Sequence, residues 1–461
     1  MKRSSWRFLW KSEDIRNKLL ITLLLLAVYR FVANVPVPGL NHAAVKGLSQ
    51  LTGAGGSLVG LLDLLSGGAV SRFSVLAMGV YPYITAQIIL QLLTPVIPAL
   101  ERKMKDDPRE GRIWMEKWTV ILTIPMAILS AFGQINIFNQ MLSSQGGAAT
   151  SVLQHYGFSG TNLLPTLAAI ISMVAGTMFG IWIGQLISEF GLRNQGLSLI
   201  IFSGIVSRFP TVIAQMVRRP DPLNTTANIS DPWWAFVIIL AVFILTIFGI
   251  VYMQLGRRNV PVMFPGRRVG NRMSMPVRSQ LPLMINMAGM IPIIFAQSFL
   301  TFPAILASFF LNKTNWVGKA ANWTYTNFGG NTWWYPVMFF ILVVLFCYFY
   351  TDVLFAQQDY GENLKKQGAQ IPGVVRGKPT QDYLTRVQRR ITLPGAVFLG
   401  IIAVLPNIMT GVFKLFGKTD IAGLGLMQAS GLLIVVGTVR EIVQLIETEL
   451  RMHGYDDRLI N

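Results

Sequence analysis

The chain of 461 residues is 52% hydrophobic and only 13% charged, where a soluble domain carries about 25% charged residues. That balance excludes a water-soluble enzyme, because it leaves too little polar surface to cover a protein of this size, whereas a lipid-facing surface needs no such cover. The net charge of +18, from 39 Lys and Arg against 21 Asp and Glu, therefore gathers outside the membrane, and a basic membrane-proximal surface is expected.

In chain order, ten apolar runs reach the ~18 residues that cross about 30 Å of hydrocarbon. They fall at 19–36, 73–98, 118–138, 163–187, 197–217, 234–256, 284–310, 334–352, 391–411 and 430–450. Lys2, Arg3, Arg7, Lys11, Arg16 and Lys18 precede the first, whose long apolar core reads as an uncleaved span. Ten spans put both termini on one side. Of the 39 Lys and Arg, 28 fall on that side, 8 on the other, and Arg30, Arg208 and Arg440 lie inside spans. Both termini are therefore expected in the cytoplasm. The outer segment 139–162 carries no charge, and the outer loop 311–333 carries Trp316, Trp323 and Trp333 at interface depth.

Between the first two spans, residues 57–66 read SLVGLLDLLS, apolar but about half a crossing, and Gly67 and Gly68 follow. Such a run either lies on the outer surface or re-enters the membrane. Farther along, Gly176, Gly180 and Gly184 recur every four residues, which lets another helix approach closely. Pro82, Pro292 and Pro406 are expected to bend helices or free backbone groups.

No Asp or Glu lies well inside a span. Glu189, Asp352 and Glu441 sit near cytoplasmic ends, and Arg30 and Arg440 read as isolated basic groups. Ion-coupled transport, which holds its ion by charge at membrane depth, is disfavoured. Residues 411–419, GVFKLFGKT, have five residues between the glycines where a phosphate loop has four, and no strand before them. One cysteine, Cys347, and His42, His155 and His453 provide neither a disulfide framework nor a multi-ligand metal site, so no cofactor or metal is expected. No catalytic motif is found, and the chain is not expected to be an enzyme.

Two long cytoplasmic loops carry much of the charge. Arg257, Arg258, Arg267, Arg268, Arg272 and Arg278 lie in 257–283, and Lys365, Lys366, Arg376, Lys378, Arg386, Arg389 and Arg390 in 353–390. The positive-inside rule explains a few of these, and protruding loops of this charge suit an acidic protein or ribosomal RNA.

Seven ordered stretches then resemble the SecY family, the central subunits of the bacterial protein-translocation channel. They begin with VPVPGL (35–40) and LSGGAVSRFSVLAMGVYPYITAQIILQLL (65–93), then GLSLIIFSGIV (196–206) and LPLMINMAGMIPIIFAQSFLTFP (281–303). ENLKKQGAQIPG (362–373), then RRITLPGAVFLGIIAVLP (389–406) with LLIVVG (432–437), complete them. The resemblance implies an all-α membrane protein, ten transmembrane helices in two inverted five-helix halves around a central pore. The halves are 1–217 and 234–461, joined by an external hinge at 218–233.

It also implies a plug near 57–70, formed by Leu58, Val59, Leu61, Leu62, Asp63, Leu64 and Leu65, hinged at Gly67 and Gly68. A pore ring falls on Val80, Ile84, Leu197, Ile201, Ile294 and Ile434, and a lateral gate to lipid on Gln91 and Asn286. An aliphatic ring fits around a passing chain and offers ions no polar ligand. Cytoplasmic docking falls on Arg257, Arg258, Arg267, Arg268, Arg272, Lys365, Lys366, Arg376 and Lys378. The implied partners are the small membrane subunits SecE and SecG, the motor ATPase SecA, the ribosome with its RNA, signal peptides, nascent chains and the lipid bilayer. The sequence departs from the family at 373–377, where the arginine of Gly-Ile-Arg-Pro-Gly is shifted by one to Arg376, and at Met284, which replaces a lysine.

The function expected is a protein-conducting channel of the cytoplasmic membrane, which passes unfolded polypeptides, releases transmembrane segments sideways and takes its energy from outside. The alternative is a small-solute secondary transporter.

Overall fold

A computed structural model describes residues 13–41, 73–98, 107–144, 151–154, 156–157, 162–192, 195–207, 233–264, 277–310, 316–328, 332–415 and 429–452, with short pieces at 66, 69–70, 100, 102, 210, 268–269 and 272–273. In chain order the elements are α1 (Glu13–Val32), α2 (Tyr81–Val96), α3 (Pro108–Ser144), α4 (Leu163–Phe190), α5 (Gly196–Val206) and α6 (Trp233–Leu255). Then come β1 (Arg257–Phe264), β2 (Arg268–Val269), β3 (Arg272–Met273) and β4 (Val277–Met284). The last six are α7 (Ile291–Ser308), α8 (Trp316–Phe328), α9 (Trp334–Gln358), α10 (Tyr360–Lys366), α11 (Lys378–Leu415) and α12 (Ala429–Met452). Each of the ten apolar runs holds a helix. Among the described residues, five helical stretches are long and apolar enough to cross a bilayer, in α3, α4, α7, α9 to α10, and α11.

Outward apolar side chains suit a lipid solvent: Leu23 and Phe31 on α1 and Leu245, Phe248 and Tyr252 on α6 are all more than two-thirds exposed. In water such surfaces would associate. Polar groups are handled inside the helices that carry them. Thr22, Thr85, Thr123, Thr177 and Thr246 each donate to the carbonyl four residues back, at 2.7–3.3 Å, the device that spares a hydroxyl from standing unpaired in hydrocarbon.

The second and seventh spans start later than the sequence suggests. Residues 73–80 are turns, with Phe73 at φ 46° and Gly79 at φ 54°, and the helix begins at Tyr81. Pro82 and Pro292 thus sit in the first turns of α2 and α7, where a missing N–H is no loss, and start these helices rather than bending them. The turns are used. Val37 N–H donates to the Phe73 carbonyl and Val75 N–H to that of Val35, so the proline-rich segment 35–40 pairs with them.

The chain divides into two compact units. One is Met1–Ala241 with Ser298–Tyr335 and Pro406–Asn461; the other is Val242–Gln297 with Pro336–Leu405. In the first, a core of Val37, Val70, Phe73, Phe138, Leu153, Met173 and Ile305 closes one end, with Phe73 and Phe138 edge to face at 5.8 Å. The second holds α9 against α11, where Gly400 lies under the Phe340 ring and would meet it at 2.7 Å if it carried a Cβ.

The glycine stripe of α4 behaves as its spacing predicts, with a different neighbour on each turn. A Cβ at Gly176 would strike the Val75 carbonyl; one at Gly180 would lie 3.3 Å from the Tyr29 ring and 3.8 Å from Val80; one at Gly184 would lie 2.9 Å from Leu197. Gly176→Val is expected to lower stability by about 1–3 kcal/mol or more through overpacking. Gly411→Ala in α11, where an added Cβ would meet nothing within 4 Å beyond its own helix turn among the described residues, should instead raise it by about 0.5–1 kcal/mol. Thermal unfolding of the purified variants in detergent checks both signs.

Candidate pore, gate and cytoplasmic docking surface

The aliphatic side chains assigned to a ring come from helix ends and helix faces that are themselves tightly held. In the first unit, Val80 is the residue before α2, 1% exposed, and Ile84 follows one turn later, half-buried. Leu197 and Ile201 lie one turn apart on α5, half-buried and 3% exposed, and Ile434 on α12 is fully buried. Their backing is specific. The Gly180 and Gly184 backbones of α4 leave room for Val80 and Leu197, and Gly196 at the start of α5 lies directly on the Gly184 carbonyl. Ser188 fixes this junction, donating to the Gly184 carbonyl at 3.0 Å and accepting from Gly196 N–H at 3.1 Å. In the second unit, Ile294 is the fourth residue of α7 and 7% exposed.

The residues assigned to plug and hinge, from Leu58 to Leu65 with Gly67 and Gly68, lie outside the described residues, as does Arg267. Gln91 sits in α2 with its Oε1 buried and accepting no hydrogen bond among the described residues. Asn286 is not in a helix, as a span from 284 would have it. It lies in the turn between β4 and α7, where its Oδ1 accepts from Gly289 N–H at 2.9 Å and its Nδ2 donates to the Gly289 carbonyl at 3.2 Å. Gly289 at φ 62° makes that turn possible. Arg30 is not isolated either: its Nε donates to Ser203 Oγ on α5 at 2.9 Å.

The two basic loops are not loose. Residues 257–264 and 277–284 pair as antiparallel strands, in which Val260 faces Leu281. Val260, Val262 and Leu283 are buried, and Phe264, Leu281 and Ile285 pack against the same core, the period-2 pattern of a strand pair covered on one face. What covers that face comes about a hundred residues later in the chain. Phe355, Leu364, Ala369, Ile371, Leu384, Val387 and Ile391 complete the core. Met263 and Gln370 exchange both backbone hydrogen bonds at 2.8 Å, which adds a short bridge to the hairpin edge.

Two glutamines of α11, Gln388 buried and Gln381 half-buried, which the sequence reading passed over, tie the parts together. Gln388 Nε2 donates to the Met284 carbonyl at 3.2 Å. Gln381 accepts from Gly361 N–H at 2.8 Å and donates to the Phe355 carbonyl at 3.4 Å. The signal was available: Gln381, Leu384, Gln388 and Ile391 fall on one helical face, at i, i+3, i+7 and i+10. Beside them, Arg389 makes a two-point contact with Asp352 at 2.9–3.2 Å; the hydrogen bond first, and the carboxylate charge second, raise the guanidinium above its ordinary value. This exposed pair fixes direction and is worth about 0–1 kcal/mol.

On this packed base the basic side chains face water. Arg257, Arg258, Arg278, Lys365, Arg376, Lys378, Arg386 and Arg390 are exposed, and Lys366, also exposed, pairs with Glu362 at 3.5 Å. Arg268 pairs with Met273, and Arg272 with Val269, in the short β2–β3 ladder. Arg376 follows Val375, which is 73% exposed, in a turn between Gly373 (φ 81°) and Gly377 (φ 94°). Both loops thus present charge from a single rigid support.

Comparison with known proteins agrees in extent with these features. The SecY family model matches residues 74–443. A protein translocase subunit SecY from Corynebacterium glutamicum is 34% identical over 458 residues, covering 98% of this chain and 98% of the relative. Among solved structures, one of a protein-conducting channel has a TM-score of 0.58 at 16% identity and covers 99% of this chain and 100% of its own. The idle yeast Ssh1 complex bound to the yeast 80S ribosome contains a chain with a TM-score of 0.60 at 14% identity, covering 100% and 97%.

Because this base owes its shape to one small core, truncating that core should loosen both loops together. Leu384→Ala, at a fully buried position, is expected to destabilise this unit by about 2–5 kcal/mol. Limited trypsin digestion would show it as faster cleavage in both 257–283 and 353–390; faster cleavage in one loop alone would mean that the two are not joined as described.

Proposed function

The chain belongs to the SecY family, and from that premise we propose how its residues carry out the work of a protein-conducting channel. It is a multi-pass membrane protein, and its spans supply a path rather than chemistry. The single observation that carries this reading is the match to protein translocase subunits over nearly the whole length of both chains. In support, the ring positions carry only aliphatic side chains, Val80, Ile84, Leu197, Ile201, Ile294 and Ile434. A ring of this kind holds a passing polypeptide by nonpolar contact and leaves an ion without ligands, so that it resists leakage by dewetting. The segment 57–66 acts as the outer plug, moving on Gly67 and Gly68. Gln91 and Asn286 border the lateral exit through which apolar segments reach lipid.

Energy comes from a partner on the cytoplasmic side. The basic side chains of the hairpin and of 365–378 dock a motor ATPase of the SecA type, or the ribosome through acidic protein and RNA phosphate. SecE and SecG complete the assembly in the cytoplasmic membrane, with both termini inside. The rigidity of the base favours this role, since a push delivered to a loose loop would be absorbed there, while one delivered to a packed unit is passed on.

Ile84→Asn combined with Ile294→Asn tests the ring. In liposomes containing the full chain with its small subunits, ion leak should rise on the order of tenfold, equivalent to about 1.4 kcal/mol off the barrier. Unchanged leak and unchanged secretion in folded protein would remove these residues from the constriction.

A further inference from the structure

The outer loop between α7 and α9 contains a helix, α8, whose two faces differ sharply. Gly318 and Ala321 are buried, and Tyr325 and Phe328 pack against the core of the first unit, so one stripe at i, i+3, i+7 and i+10 faces protein. On the opposite face, seven residues apart and hence aligned, Trp316 is 81% and Trp323 65% exposed. Lys319 lies between them, also exposed. Just beyond, the tilted rings of Trp333 and Trp334 meet with centroids 4.0 Å apart and are 69% and 51% exposed.

Four exposed indoles within nineteen residues, 316–334, need a medium that is neither water nor hydrocarbon. Indole has an apolar body and one N–H donor, and it concentrates where headgroups meet acyl chains. The chain is also held near that boundary. Ser308 ends one bilayer-crossing stretch and Trp334 begins the next, and the five residues 329–333 reach ~17 Å at the ~3.5 Å per residue of a fully extended chain. Charge agrees: 309–334 has two lysines and no acidic residue, as suits the phosphates of a lipid surface. A protein-docking patch would instead be depleted in lysine.

We propose that α8 is an interfacial anchor, lying in the headgroup region of the membrane face opposite the cytoplasmic loops, with Trp316 and Trp323 immersed in lipid and Trp333 and Trp334 at similar depth. Its partner is the phospholipid surface itself. The anchor fixes the outer ends of α7 and α9 relative to the bilayer plane.

The test uses the full chain in phosphatidylcholine and phosphatidylglycerol vesicles. The fluorescence of the parent minus that of a Trp316→Phe, Trp323→Phe variant isolates the two indoles. With lipids brominated near the carbonyl, this difference signal should lose most of its intensity, while iodide in the water should remove little of it. Strong quenching by iodide without quenching by bromolipid would overturn the proposal in favour of exposure to water, and quenching by neither would overturn it in favour of a protein cover such as a second copy of the chain. If the double variant does not fold, a nitroxide on Lys319→Cys, in a Cys347→Ala background, reads the same depth: oxygen accessibility above that to a water-soluble nickel chelate supports the anchor, and the reverse order overturns it.

Discussion

The close approach of other backbones to α4 is the contact on which most of the first unit depends. Three glycines one turn apart admit, in succession, the Val75 carbonyl, the Tyr29 ring with Val80, and Leu197 with Gly196. Between helices in lipid, association rests on van der Waals packing and small residues rather than on the hydrophobic effect. A single stripe of absent side chains therefore sets the positions of α1, α2 and α5 together. Val80 and Leu197, both assigned to the constriction, lean directly on that stripe, so their placement follows from α4 and not from the helices that carry them.

In the base that carries the basic loops the logic is that of a soluble protein. There the hydrophobic effect operates, and a hairpin and a helical segment, neither of which could cover an apolar face alone, bury Val260, Leu283, Leu364 and Leu384 in a common core. Gln381 and Gln388 satisfy backbone groups where the pieces meet. Charge is left for the surface, and the molecule divides by solvent: uncharged side chains where helices face lipid, basic ones where the packed base faces water.

Polar groups at the edge of the apolar region are used for geometry. Asn286 closes the turn that aims α7, Ser188 locks the α4–α5 junction, and Arg30 reaches Ser203. At the other end of α7, the indoles of α8 extend the same economy to the lipid boundary.

The sequence by itself determined what depends on solvent and on local covalent geometry. Apolar runs long enough to cross a bilayer, the asymmetry of Lys and Arg, the glycine stripe and the ordered motifs are properties of neighbouring residues, and they were legible. Tertiary structure decided what depends on residues far apart. The hairpin looked like a loop because Arg257, Arg258, Pro261 and Pro282 mask an alternation that is meaningful only once Leu364 and Ile371 cover it. Helix α2 begins at Tyr81 rather than at 73 because segment 35–40 pairs with the preceding turns, and α8 is a helix because the core offers its small-residue stripe a place to pack. Local pattern fixes which solvent a segment prefers, but only packing between distant segments decides which of its allowed conformations is kept.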